Sequence, residues 1–453
     1  MRFLPPPGPP RVLALAQLAN SIGDGAFYAT SALFFTRIVG LSATQVGLAL
    51  TIAWATGMLA GVPLGMAADR WGARRVAVLL AVATAGMLSA FLVVRAFPLF
   101  LLVACLYAAG QGGLGAARQA LLAELVPATQ RVAVRAHMQS TVNLGLAVGA
   151  GVGGLALTVD NASAYLTVFA VDAVTFLLSA LVLRRLPAVR ISHRPAGVQP
   201  GPRLAVLRDR PYAVLTLLNA VMYLNMPVLS LGLPLWIVER TDAPPVMAAL
   251  VLVLNMLTVV LFQVRVARMV HDLRSAARTA GLAGWVLLAA CAVYGVSGGS
   301  IGAVGAVAVL LLAAAVQVFG EMMHGAASWE VGFALAPAGR QGQYQGFYGM
   351  APQIARMLGP VVVTTLLIGW GMPGWLVLGA LFLVAGLLVR PAVRWAERRS
   401  VAGQDASEPV AAPAVSVPAV SAPAVSAPAV SVPAVSEPVA APAAPESASL
   451  CTA

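Results

Sequence analysis

The chain has 453 residues, of which 60% are hydrophobic and only 10% charged, a balance outside that of ordinary water-soluble domains. Its formal charge is +12, and all 28 basic residues are arginine. These figures exclude a soluble globular protein and describe a polytopic membrane protein.

A membrane span needs about 20 apolar residues, and such stretches are read in chain order. The opening MRFLPPPGPPR is a proline-rich lead without the features of a cleavable signal. The first span, near 12–39, carries Asp24 between Gly23 and Gly25 in NSIGDGAFY. The second, 45–67, runs into GMAADRWGARR, Gly65 to Arg75, before the third at 76–94. The fourth, 98–126, holds Gly110-Gln111 and Arg118, with Glu124 near its end in ALLAELVP. In the fifth, 136–159, Gly145, Gly149 and Gly153 recur every four residues, a spacing that lets helix backbones touch. The sixth, 162–186, contains Asp172.

Leu186 to Pro211 is polar and arginine-rich, and reads as a linker between two halves. Spans then follow near 212–239, 245–267, 279–296, 300–335, 344–369 and 373–390, twelve in all. The tenth carries Glu321, with His324 one turn on and Glu330 beyond, expected to cap the loop at Pro337. Gly110-Gln111, Pro127 and Gly149 recur as Gly320-Glu321, Pro337 and Gly359 at an offset of about 210 residues, which points to duplication. From Gly403 the composition changes, and Pro413 to Glu437 is a five-residue PAVSV/PAVSA repeat. Proline every fifth residue forbids a helix, so a disordered tail dispensable for transport is expected.

Most arginines fall in the termini and alternate loops, while the intervening loops hold Arg37, Arg95 and Arg240. By the positive-inside rule both termini are cytoplasmic in a plasma or inner membrane. The charge is therefore topological, and no nucleic-acid partner is implied. Cys105, Cys291 and Cys451 form no disulfide framework or metal spacing. Without lysine there is no standard ATP-binding loop. No nucleophile elbow or cofactor motif appears, so an enzyme is not expected.

Gly65, Asp69, Arg70, Gly72 and Arg74 together resemble the signature loop of the major facilitator superfamily of secondary transporters. Ala73 stands where the family often has a basic residue, and Arg75 supplies that charge one step late. Residues 11 to 390 are most similar to the branch with macrolide-efflux and siderophore-export transporters. The resemblance implies an all-α polytopic membrane protein, with twelve transmembrane helices in two pseudo-symmetric six-helix bundles around one central cavity. The expected division is an N-terminal bundle at 1–186, a linker at 187–211, a C-terminal bundle at 212–390 and a tail at 391–453.

The resemblance also assigns roles. Asp69 would sit at the start of the third helix, where the backbone dipole favours an anion. Arg70, Arg74 and Arg75 would bridge to Glu124, stabilising an outward-facing state. The family's antiporter motif is matched at Gly149-Ala150 and Gly153-Gly154, except that Ala150 replaces proline; the missing dipeptide occurs at Gly359-Pro360. Many drug exporters carry an arginine where this chain has Ala108, and Arg118 either substitutes for it or anchors its helix.

Acids inside a membrane are costly and default to functional candidates. Asp24, Glu321 and Asp172 are the proton-coupling candidates, with Asp172 also read as a helix-packing acid. Against this, Asp24 could simply bond neighbouring spans, and Glu321 could form an ion pair with Arg356. His324 could join a relay. Phe27, Tyr28, Gln111, Arg118, Tyr223, Trp329 and Arg356 are cavity candidates.

The function expected is a monomeric secondary transporter exporting a small amphipathic compound (a drug, secondary metabolite or siderophore) against inward proton flow, by alternating access. Facilitated passage or uptake of a nutrient is the alternative within transport. A non-transporting scaffold or receptor that uses the tail is the alternative outside it.

Overall fold

The computed structural model describes residues 5–187, 204–299 and 301–405. Most of the linker and the whole pentapeptide repeat lie outside the described residues. Within them the chain is helical and contains no strand. Twelve long helices follow one another: α1 Pro9–Leu33, α2 Ala43–Trp71, α3 Ala73–Phe91, α4 Phe97–Leu125, α5 Ala128–Val159, α6 Ala162–Arg184, α7 Arg210–Arg240, α8 Val246–Ala267, α9 Leu273–Val296, α10 Gly302–Ala334, α11 Gln341–Gly369 and α12 Met372–Asp405. Eleven are long and apolar enough to cross a membrane. The exception is α1, whose apolar run is diluted by Gln17, Asn20, Ser21 and Asp24. Asn20 and Ser21 are nonetheless buried, because α1 packs against α5 and α6.

Helix ends follow local chemistry. Ser42 caps α2 reciprocally with Gln45, each side chain bonded to the other's backbone N–H at 3.1 and 2.9 Å. Gly72 alone separates α2 from α3, and its φ of 92° is a conformation that favours glycine. Three helices extend past the apolar runs that mark them, α9 among them, beginning at Leu273 rather than near 279 with Arg274 and Arg278 in its first turns. α5 begins at Ala128 rather than near 136, because its first turns, with Gln130, Arg131 and Arg135, are helical but polar and so lie outside an apolar run. α12 continues to Asp405 rather than stopping near 390, with Pro391 inside it.

Three segments are widened among the described residues: Phe34–Ile38 directly after α1, Val228–Gly232 in α7 next to Pro227, and Val363–Gly369 in α11, three residues after Pro360. A proline removes one backbone donor and crowds the turn before it, which for Pro234 is the widened turn of α7. Pro227 and Pro360 belong to one junction, since the ring of Pro227 fills the space that a side chain on Gly359 would occupy.

The apolar core has three parts. One runs from Leu13 to Leu186 with Phe333 added, and its centre is a stack of Phe27, Phe34, Phe35, Phe91, Tyr107 and Phe169. A second runs from Met222 to Ala385 around Trp236, Tyr294 and Trp375. The third joins Val62, Val132 and Ala136 to Tyr212, Tyr344 and Tyr348. Helices α2, α4 and α5 of the first half meet α8, α10 and α11 of the second across this junction.

Candidate functional site

A cavity of about 210 Å³ lies between the halves, with walls from α2, α4, α5, α7, α10 and α11. Gln111, Arg135, Asn219, Tyr223, Trp329 and Gln345 are among its lining residues. No carboxylate lines it. Gly57, Gly61, Gly112 and Gly115 form much of the first-half wall, so backbone approaches where side chains would fill the space.

Asp24 lies behind this wall. Its Oδ1 accepts Gln111 Nε2 at 2.9 Å and the Tyr107 hydroxyl at 3.3 Å. The same Gln111 amide donates to Tyr107 at 2.9 Å. Gln111 and Tyr107 are four residues apart on α4, one helical turn, so both face α1 together. Asp24 also feels the charge of Arg118, which donates to Gln17 and Ser179 at 3.0 Å each. Arg118 thus anchors α4 to α1 and α6 and does not line the cavity.

Asp172 is fully buried, bonded to Thr175, and its second carboxyl oxygen has no partner. It lies against the bare Cα of Gly23, next to Asp24 in sequence, and the two carboxyl groups act on each other electrostatically. Glu321 is held by Asn255, whose Nδ2 donates to Oε2 at 2.9 Å. The ion pair with Arg356 is not formed; Arg356 instead lies over the ring of Trp54 at 5.3 Å. His324 is buried edge-on to Tyr223 at 4.8 Å, with Nε2 unpartnered, so no relay to Glu321 is in place. Phe27 belongs to the aromatic core and is 6% exposed, whereas Tyr28 is 47% exposed.

The signature loop does different work from that expected of it. Asp69 occupies the last turn of α2, where the dipole of its own helix opposes a negative charge. Its carboxylate instead reaches the start of α11, accepting Gly342 N–H at 2.7 Å and Gln343 N–H at 2.8 Å, with the charge of Arg340 nearby. A helix N-terminus offers unpaired donors and a positive dipole end, so the anion found a helix terminus in the opposite half. The bridge from the arginines to Glu124 is absent. Arg74 donates to the Leu186 carbonyl at 2.7 Å, Arg70 and Arg75 are exposed, and the charge acting on Glu124 is that of Asp69. Glu330 feels Arg131 across the halves, and Gln341 supplies the bond to the Ala336 carbonyl before Pro337 at 2.8 Å.

Glycines make this closure possible. A methyl group on Gly65 would strike the Gly342 carbonyl, one on Gly346 would strike that of Gly61, and one on Gly61 would lie 3.1 Å from the Gly346 oxygen. Within the first half, Gly145, Gly149 and Gly153 abut Ser21, Ile22 and Ala26 of α1, while Gly154 faces open space. At the matching loop of the second half, Asp272 caps α9, accepting Ser275 N–H at 2.6 Å. Bonds from the Ser275 backbone and hydroxyl hold the Asp272 carboxyl below the usual carboxylate range.

Arg135 and Trp54 were not legible as site residues. Arg135 falls in the polar start of α5, which reads as loop, and stacks on Trp329 at 5.3 Å. Trp54 reads as one more apolar residue of a span.

The helical fold and its central cavity are those of a polytopic membrane transporter. The model of the Major Facilitator Superfamily matches residues 13–360, and the chain belongs to that family. No curated protein sequence matches it significantly. Among solved structures, it is similar to a bacterial homologue of the iron transporter ferroportin in its outward-facing state, at 15% identity and a TM-score of 0.66, over 86% of this chain and 99% of that one. The E. coli fucose:proton symporter is 17% identical with a TM-score of 0.64, over 85% and 98% of the two chains. The human organic anion transporter is 17% identical with a TM-score of 0.60, over 84% and 100%. The likeness at these identities is one of fold.

Proposed function

We propose that this transporter couples the passage of a small amphipathic compound to inward proton flow, in the direction of export, by alternating access. The observation that supports it is Gln111, a cavity-lining residue whose amide donates to Asp24. An acceptor on a bound compound competes for that amide and leaves Asp24 with one donor fewer. Occupancy of the cavity and protonation of the acid are thereby linked through a single side chain. Arg118, Tyr107 and Asp172 are the other groups that set the charge balance around Asp24.

In this reading both termini are cytoplasmic and the chain works as a monomer, with the division at 186 and 212 separating the moving bundles. The Asp69 latch then closes the cytoplasmic end, which makes this the outward-facing form. A membrane potential of 100 mV supplies about 2.3 kcal/mol per charge moved, enough for appreciable accumulation. A second reading, proton-linked uptake of a nutrient, is supported by the likeness to the fucose:proton symporter.

The test is proton movement in proteoliposomes carrying an internal pH dye, challenged with a panel of amphipathic compounds and sugars from either side. Compound-dependent proton flux that disappears in Asp24→Asn supports coupling, and its direction separates export from uptake. Solute flux with unchanged pH response in Asp24→Asn would make the protein a facilitator.

A further inference from the structure

We infer that the central cavity binds a small organic anion, its acid group held by Arg135 beside Tyr223 and its apolar body laid against Trp329, with Arg356, outside the cavity lining, adding positive charge at longer range. The inference rests on the transport reading and adds the charge of the cargo to it.

The two arginines are placed in a crossed arrangement. Arg135 of α5 stacks on Trp329 of α10, and Arg356 of α11 stacks on Trp54 of α2, each at 5.3 Å from guanidinium carbon to ring centre. Each cation therefore rests on a tryptophan of the opposite half. Stacking uses the face of a guanidinium and leaves its edge, with the N–H groups, pointing elsewhere. Both cations act electrostatically on the hydroxyl of the cavity-lining Tyr223, Arg135 the more strongly, and so does the Glu321 carboxyl that Asn255 holds outside the cavity wall. Among the described residues neither arginine has a carboxylate within ion-pair distance, and Nε of Arg135 is buried without an acceptor.

The nearby acids are already engaged. Asp24 takes Gln111 and Tyr107 and is balanced by Arg118, Glu321 takes Asn255, and Asp172 takes Thr175. The cavity wall adds only neutral polar groups, including Gln119, Asn219, Ser328 and Gln353, whose Oε1 is itself unpartnered. Arg356 is exposed, but Arg135 is partly buried with its Nε shut away from any acceptor, and leaving such a cation without a counter-charge is costly, so the missing charge is one that a ligand supplies. A carboxylate or sulfonate accepts two guanidinium bonds in a plane, which is the geometry an arginine edge offers. A cationic amphiphile meets the like charge of Arg135 and no carboxylate in the cavity wall. The volume of about 210 Å³ lies under the roughly 300–1,000 Å³ of drug-sized sites, which points to a one-ring or short-chain acid.

The experiment is equilibrium binding to the purified full chain in detergent, by calorimetry at fixed pH. The probes are matched sets: benzoate, benzamide and benzylamine; 2-naphthoate with its amide and aminomethyl analogues; hexanoate with hexanamide and hexylamine; and benzenesulfonate with its sulfonamide. At least one acid is expected to bind tenfold or more tightly than its neutral and cationic partners. Arg135→Gln should erase that preference by tenfold or more, Arg356→Gln should weaken it by less, and Arg135→Lys should restore part of it. Size-exclusion profiles establish that each variant is folded, and the lysine variant keeps the test open should the glutamine variant fail to fold. Equal binding of acid, amide and amine, no binding of any acid, or glutamine variants with unchanged acid preference would overturn the inference. Because binding needs no proton gradient, protein that binds acids but moves no protons contradicts the coupling proposal alone.

Discussion

The carboxylate of Asp69 accepts the backbone N–H of Gly342 at 2.7 Å across 273 residues of chain, joining the end of α2 to the beginning of α11. Gln343 donates to the other carboxylate oxygen at 2.8 Å. One side chain thus holds together two helices that belong to opposite halves.

Asp69→Ala removes both bonds at once. Hydrogen bonds to a charged group are worth about 1.5–3 kcal/mol each, so the closed form should lose at least tenfold in population. Spin labels in the loops at both ends of the bundle, with distances measured by double electron resonance, report the shift. Distance distributions identical to those of the parent protein would contradict the latch.

Gly65→Ala tests the same closure sterically. The added methyl strikes the Gly342 carbonyl, and backbone has no alternative rotamer to retreat into. Solute flux should fall several-fold while expression and thermal stability stay close to those of the parent, since the three atoms nearest the added methyl all belong to α11. Normal flux in liposomes would show that the ends never need to come this close.

Gly149→Val acts inside the first half. Its side chain would meet the Ile22 carbonyl and Ala26 nitrogen, two residues to either side of Asp24. Overpacking of a tight contact costs about 1–3 kcal/mol or more, and here it separates α1 from α5. Fluorescence-detected size exclusion should show a lower melting point and a smaller monodisperse fraction, whereas Gly154→Val, facing open space, should change neither.

Arg37→Ala is expected to be nearly silent. Its ion pair with Asp160, at 2.9 Å, joins side chains that are 59% and 45% exposed. Exposed pairs contribute about 0–1 kcal/mol, and Asp160 retains the hydroxyl of Tyr165 as a donor. A melting-point loss comparable to that of Gly149→Val would show that this end is less open to solvent than its exposure indicates.

How far the sequence foretold the molecule depends on how local each signal is. Apolar runs fix where helices lie, so all twelve were legible, and the errors sit where polar residues extend a helix, as at Ala128 and after Arg390. Gly65, Asp69 and Gly72 announced a tight, charged junction, but not that the partner of Asp69 lay at Gly342, because nothing local marks a helix terminus in the opposite half. Asp24 and Gln111 were both singled out, whereas the bond between them came only from structure. Phe27 misled because an aromatic beside a functional acid looks like a cavity wall, and here it fills a core. Arg135 escaped notice because charge near a span boundary is ordinarily a topological marker.

The two halves differ in how pliant they are. α5 runs 32 residues without a proline, while its counterpart α11 carries Pro360 and a stretched segment, and meets the kink of α7 where Pro227 fits against Gly359. Bending is then unevenly shared within the matched pair: α5 tilts as a straight rod, and curvature changes concentrate in α7 and α11. Backbone amides around 228–232 and 363–369 should accordingly exchange with deuterium sooner than any in the interior of α5.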